Sequence, residues 1–206
     1  MKVLVVYYSM YGNTFRLARA VDEGAKEVEE AEVSLKTVQE LVPDEIIQKS
    51  PAAMKAKKEQ KDIPIATLDD LKEADAVIFG SPTRFGNMCA QLRNFLDQTG
   101  PLWAKGALIG KPTGVFTSTS TLHGGQESTL LSMMITLLHH GMIIVGIPYS
   151  EEKLFTTKGG GSPYGASSVS GQRADQFPTE DDLALARALG KRVAQIAKKL
   201  EGRDRS

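Results

Sequence analysis

Residues 2–14 read KVLVVYYSMYGNT, and this stretch decides the fold. Lys2 to Tyr8 is a continuous apolar run of strand length, the mark of a strand buried on both faces. It leads into Ser9-Met10-Tyr11-Gly12-Asn13-Thr14, a hydroxyl-bearing loop without Lys or Arg, and then into a helix. Strand, polar turn and helix together form a phosphate cradle. The first amides of a helix have no internal partners and carry the positive end of its dipole. Ser9, Asn13 and Thr14 add side-chain hydrogen bonds, and Gly12 lets the backbone come close. Such a loop is expected to hold a phosphate monoester by hydrogen bonds alone. The G-x-x-x-x-G-K-[ST] pattern of nucleoside-triphosphate sites is absent, as is G-x-G-x-x-G after the first strand.

Outward from this unit, strand-like and helix-like runs alternate. Phe15, Ala18, Val21, Ala25 and Val28 recur at helical spacing and predict a first helix over about residues 13–29. Ala31 to Val38 alternates as a second strand, and Ala74 to Gly80 is a third. Thr67 to Asp70 has the form of a capping box opening a short helix. A helix is predicted over 88–98 with Asn87 as its N-cap, a fourth strand over 112–118, and a helix over 126–140 ended by Gly141. Met142 to Ile147 reads as a fifth strand stopped by Pro148. Thr179 caps a last helix whose face is Leu185, Leu189, Val193, Ile196 and Leu200. Alternation of this kind predicts an α/β, doubly wound parallel sheet of five strands in the order 2-1-3-4-5, with helices on both faces. A single domain over 1–206 is expected, with insertions at about 39–64 and 149–178. Both are long for plain loops, and they are expected to be solvated decoration, an oligomer contact or an active-site lid.

The bulk properties exclude several classes. With 25 Lys and Arg against 25 Asp and Glu, the chain has neither the basic face of a nucleic-acid binder nor the acidic surplus of an electron carrier. Cys89 is the single cysteine, so no internal disulfide can form, and a reducing, cytoplasmic setting is expected. No apolar run approaches the roughly 20 residues of a membrane span, so no membrane insertion is expected.

Two further loops share the rim with the first. Ser81-Pro82-Thr83-Arg84-Phe85-Gly86-Asn87 follows the third strand; Thr83, Arg84 and the backbone suit a planar heterocycle and Phe85 offers an apolar face. Thr117 to Gln126 follows the fourth strand and contains Ser118, Thr119, Ser120, Thr121 and Leu122. Three polar loops at one rim of a parallel sheet mark a ligand site. Trp103 is expected in a loop, as a core plug or as a wall for a flat substrate. His139 and His140 end a helix, where a protonated imidazole is favoured by the dipole; for His140 a capping role is expected. The three histidines lack metal-ligand spacing with Cys89, so no metal is expected. Cys89 is expected to be a packed, inert thiol.

The loops resemble those of the flavodoxin-like superfamily, and most closely the tryptophan-repressor-binding-protein (Wrb-type) family of NAD(P)H:quinone oxidoreductases. The matching stretches are YYSMYGNT (7–14), PTRFGNM (82–88), NFLDQTGPLW (94–103), GGQE (124–127), HHGM (139–142) and GGGSPYGAS (159–167). The resemblance implies FMN as cofactor, with Ser9, Met10, Tyr11, Gly12, Asn13 and Thr14 around its phosphate. It implies Thr83, Arg84, Phe85, Ser118, Thr119, Ser120, Thr121, Leu122 and His139 at the isoalloxazine. Tyr11 would meet the nicotinamide, Trp103 the quinone, and His139 would serve as a catalytic proton relay. The implied reaction is two-electron transfer from NAD(P)H to quinones by a ping-pong mechanism, in a homotetramer whose neighbouring subunits wall the site. The chain departs from the family at Ser120, Leu122 and His123, where members have a glycine-richer loop. A flavodoxin-type electron carrier serving a protein partner is the alternative, and a flavin-free interaction protein a third reading.

Overall fold

Alternate residues of the first strand, β1 (Lys2–Tyr7), face opposite sides, and each side builds its own core. Val3, Val5 and Tyr7 join a cluster containing Leu17, Val21, Leu185, Leu189 and Val193. Leu4, Val6 and the following Tyr8 join a second with Leu71, Leu92, Leu130 and Leu137. A strand buried on both faces in this way has no polar side to show, which is why its sequence is apolar throughout.

The computed structural model describes residues 1–201. After β1 come α1 (Asn13–Lys26), β2 (Glu32–Thr37), α2 (Asp44–Ile47), α3 (Pro51–Glu59), α4 (Leu68–Glu73), β3 (Ala76–Arg84) and β4 (Asn87–Met88). Then follow α5 (Ala90–Asp97), α6 (Gly100–Ala104), β5 (Pro112–Thr119), α7 (Gln126–His139), β6 (Ile143–Ile144), α8 (Lys153–Thr156), β7 (Ala166–Val169) and α9 (Glu180–Glu201). The sheet order is β2-β1-β3-β5-β6, with parallel pairing along that path. Counting these five strands in chain order gives the expected 2-1-3-4-5. α1 and α9 cover one face, and their crossing is close because glycines meet backbone. A Cβ on Gly24 would lie 1.9 Å from the Arg187 carbonyl oxygen, and one on Gly190 would lie 2.0 Å from that of Val21.

The capping boxes at Thr67 and Thr179 are present. Thr67 Oγ1 accepts the Asp70 N–H and the Asp70 carboxylate accepts the Thr67 N–H. The Thr179 and Asp182 pair repeats the pattern at α9. Gly141, with φ 72°, ends α7 in a Schellman turn: its N–H bonds Leu138 O at 2.9 Å and that of Met142 bonds Leu137 O at 3.2 Å.

Several expectations are corrected. α1 ends at Lys26 rather than Glu29, because the chain turns back toward β2 through Glu30, whose φ is 66°. β3 does not stop at Gly80. It runs on to Arg84 and doubles back through Phe85-Gly86 to pair with β4. Asn87 is therefore a strand residue. The N-cap of α5 is Cys89, whose N–H donates to Ser81 Oγ at 2.8 Å. Trp103 lies in α6, not in a loop; the helix starts at Gly100, and Pro101, its second residue, suits a first turn. The fifth strand is reduced to Ile143–Ile144, which pairs only with Pro112 and Thr113. The outer half of that edge is taken by β7, whose Ala166–Val169 pairs with Phe116–Thr119. Segment 149–178 thus completes the sheet. Segment 39–64 is likewise structured: it carries α2 and α3, with Ala53 and Ala56 buried.

Candidate functional site

α1 begins on a residue that cannot cap it. Gly12, at φ 92°, stands at the N-cap, no side chain bonds the first amides, and no acid lies in the first turn. The positive end of the helix is left open. Gly12 is required by its backbone. Its φ is left-handed, a conformation that L side chains rarely adopt; a Cβ there would only have to displace the tip of the Arg16 side chain. The loop before it is rigid: the Gly12 N–H donates to Ser9 Oγ at 3.1 Å, and Gln60 Nε2 donates to Ser9 O at 3.4 Å. Asn13 is 3% exposed, yet neither Nδ2 nor Oδ1 has a hydrogen-bond partner. Buried amides are nearly always paired, so this one is shaped for something the chain does not itself provide.

The cavity in front of Asn13 has a volume of about 280 Å³. It is walled by Ser9, Met10, Tyr11, Asn13 and Thr14, by Pro82, Thr83 and Arg84, and by Ser118, Thr119 and Ser120. The three rim loops thus converge. The second loop is held by its hairpin: Phe85 at φ 53° and Gly86 at φ 80° form a two-residue turn of the I′ kind. The Gly86 N–H donates to Thr83 Oγ1, which lies 2.8 Å from Thr129 Oγ1 on α7. The third is held where the Ser167 hydroxyl donates to Gln126 Oε1 and the Thr119 hydroxyl donates to Thr121 O at 2.8 Å.

Sequence reasoning missed part of this wall. Ser50 and Ala52 from the start of α3 line the cavity, as do Ser170, Gln172, Arg173 and Ala174 beyond β7. Ser50-Pro51 has the form of an N-cap followed by Pro at the first helical position, so the start of α3 had a signal. The 170–174 segment had none, because β7 brings it to the rim through a tertiary pairing. The cations near the cavity are largely engaged. Arg84 Nη1 donates to Thr83 O at 2.8 Å, and Arg173 Nε pairs with Asp175 at 3.0 Å. Arg16 bonds Gly12 O, faces Glu59 at 3.6 Å and stacks on Phe177 at 3.9 Å.

Behind the first loop lies a polar cluster. Burial opposes ionisation of Glu40, but the Lys57 ammonium at 2.5 Å, the Val42 N–H and Gln91 Nε2 hold its carboxyl down at about 2. Burial, and then the Glu40 charge, push the Tyr8 phenol far above its usual range. Burial likewise raises the Cys89 thiol, which is 1% exposed, in keeping with a packed cysteine.

The remaining predicted residues stand elsewhere. Phe85 projects fully exposed from the hairpin tip, and Thr121 and Leu122 lie outside the cavity, Leu122 in a neighbouring cleft with Phe177. His139 and Trp103 come together, Trp103 Nε1 donating to His139 O at 2.9 Å, in a separate groove with Arg93 and Asp97. Within one chain they do not reach the cavity: α7 starts at the rim with Gln126, and its 14 residues make it about 20 Å long. His140 stands at the C-cap of α7, as expected, but it is buried and its imidazole is not a charged cap. Its Nε2 lies 2.9 Å from Thr99 Oγ1, whose proton goes to Leu96 O at 2.6 Å. Burial, with His139 beside it, pushes its pKa down. Among the described residues no three His, Cys, Asp or Glu side chains gather in metal-binding geometry, and no helix is long and apolar enough to cross a membrane.

Comparison with known proteins agrees with this geometry. Residues 1–152 match the model of a family described as NADPH-dependent FMN reductase. A Geotalea daltonii protein named NAD(P)H dehydrogenase (quinone) is 58% identical over 97% of this chain and 98% of its own length. A Geobacter sulfurreducens protein of the same name is 53% identical over 98% of this chain and all of its own. Among solved structures, a flavodoxin, WrbA-like protein from Agrobacterium tumefaciens superposes with a TM-score of 0.67 at 26% identity, over 96% of this chain and 98% of the other.

Proposed function

The chain belongs to the NADPH-dependent FMN reductase family, and from that premise we propose that it is an FMN-dependent NAD(P)H:quinone oxidoreductase. The observation that carries this reading is the buried, unpartnered Asn13 amide at the uncapped start of α1. A phosphate monoester fits it: the amide supplies a donor, the first-turn N–H groups supply more, and the Ser9 and Thr14 hydroxyls flank them. Bound FMN supplies two-electron transfer between a nicotinamide and a quinone. The chain supplies position and electrostatics. Met10, Tyr11, Gly12 and the donors of the phosphate loop fix the nucleotide's tail. Thr83, Arg84, Ser118, Thr119 and Ser120, which line the cavity, would stand around its ring, where N–H groups would offset negative charge on the reduced form; Phe85, Thr121 and Leu122 stand outside it. Tyr11, 42% exposed, meets the nicotinamide. NAD(P)H and quinone use one site in turn, which gives ping-pong kinetics.

His139 and Trp103 belong to the same reading through a homotetramer. Leu131, Ile135 and Leu138 form an exposed apolar stripe on α7, beside the exposed Trp103 and Ile109. A partner copy covering this stripe brings His139 and Trp103 toward a neighbour's cavity. There Trp103 walls the quinone and His139 gives a proton to its oxygen. The lone buried thiol of Cys89 suits the cytoplasm.

The test is titration with FMN, followed by NADH or NADPH and benzoquinone, watching flavin absorbance. Stoichiometric FMN binding with parallel double-reciprocal lines supports the reading. Failure to bind FMN, or to reduce benzoquinone once loaded, overturns it; intersecting lines overturn the ping-pong order. His139→Gln with unchanged quinone turnover and pH profile removes the proton role.

A further inference from the structure

α3 opens on the same cavity as α1. Its N-cap, Ser50, and its second residue, Ala52, both line that cavity. The amides of its first turn are nearly all accounted for. Pro51 has none, that of Ala53 donates to Ser50 Oγ at 3.3 Å, and that of Met54 bonds Ser50 O at 2.9 Å. The Ala52 N–H is the one left over. No acidic side chain occupies this first turn, as none occupies that of α1. An independent mark of a ligand faces the same space: the buried amide of Asn13, unpartnered at both polar atoms.

α3 is also tied to the loop it faces. Gln60 just past its end bonds Ser9 O, Glu59 meets Arg16 at 3.6 Å, and Lys57 meets Glu40 at 2.5 Å. These contacts run to the residues that hold the phosphate loop in shape.

We propose that α3 is a second phosphate-facing helix, whose N-terminal dipole and Ala52 N–H act with α1 on the terminal phosphate of FMN and select the phosphorylated flavin over riboflavin. The proposal rests on the FMN reading above. Two helix N-termini then stand in for the Lys or Arg that the loop lacks.

Ala52 is exposed, so a substitution there leaves the core intact. An Asp at this position strengthens the helix start while repelling a phosphate dianion. The experiment measures FMN and riboflavin dissociation constants by flavin fluorescence, in the full chain, for wild type, Ala52→Asp and the neutral isostere Ala52→Asn. Expected is about tenfold weaker FMN binding in Asp than in Asn, a gap that shrinks in high salt, and equal riboflavin binding in both. Equal FMN affinity in the two variants, or an equal loss for riboflavin, overturns the proposal. A wild-type chain that binds neither flavin overturns instead the reading on which it rests.

Discussion

The Tyr8 hydroxyl donates to Glu40 at 2.9 Å, joining the residue just before the phosphate loop to the segment that carries α3. Lys57 closes the group, pairing with Glu40 and lying 4.5 Å from the centre of the Tyr8 ring. The Glu40 carboxyl is held at about 2 in the fold, against an ordinary 4.5. The unfolded chain therefore takes up the proton first as pH falls. The stability contributed by Glu40 is complete above about pH 4.5 and is lost between there and pH 2. Urea unfolding at pH 7, 4 and 3 is expected to show this loss in wild type and a flatter profile in Glu40→Gln. Glu40→Ala strands the Tyr8 hydroxyl and Lys57 and is expected to cost about 1–3 kcal/mol at pH 7. A pH profile of Glu40→Gln that matches wild type would refute this.

Asn13 predicts opposite effects in the two states of loading. Without flavin its buried amide satisfies nothing, so Asn13→Ala is expected to leave stability unchanged or raise it by up to about 1 kcal/mol. With FMN the same change removes donors to the phosphate, and affinity is expected to fall about tenfold. Thermal unfolding with and without FMN measures both, because ligand stabilisation scales with affinity. Destabilisation of the flavin-free protein would mean that Asn13 has a structural partner after all.

The fold was legible where a single element carries its own signature. The apolar run of β1, the Thr67 and Thr179 caps and the Gly141 stop are local chemistry, and each stands where the sequence puts it. What could not be read were pairings. Met142 to Ile147 is apolar enough for a strand, but the neighbouring place on β5 goes to Ala166–Val169. Nothing local separates the two. The same pairing delivers Gln172 and Arg173 to the cavity, which is why that wall was not foreseen. His139 and Trp103 carry family resemblance, yet resemblance does not say that within one chain His139 ends α7 far from the rim, with Trp103 of α6 bonded to it.

Phe85 is a bulky residue with φ 53° at a turn position that favours Asn, and its side chain is fully exposed. It gains no burial from this placement. Phe85→Asn is therefore expected to stabilise the protein by about 1 kcal/mol. If the exposed ring serves the quinone, kcat/KM for benzoquinone falls in the same variant, an exchange of stability for function. A more stable variant with undiminished turnover would assign the ring no part in the reaction.

His140 sets a second pH window, separate from that of Glu40. Because Thr99 Oγ1 gives its proton to Leu96 O, it accepts from His140, which fixes the neutral Nε2–H tautomer and leaves Nδ1 buried without a partner. Its pKa in the fold lies below the ordinary 6.5. Below pH 6.5 the unfolded chain binds a proton that the folded chain resists, so this residue lowers stability as pH falls and is neutral in effect above. Wild type is expected to be less stable at pH 5.5 than at 7.5 by a margin that His140→Gln removes, since Gln keeps a donor and does not titrate. Imidazole nitrogen shifts in the folded protein are expected to report the Nε2–H form down to below pH 6.5. A ring that protonates at or above that pH would place a charge where the structure offers none a partner.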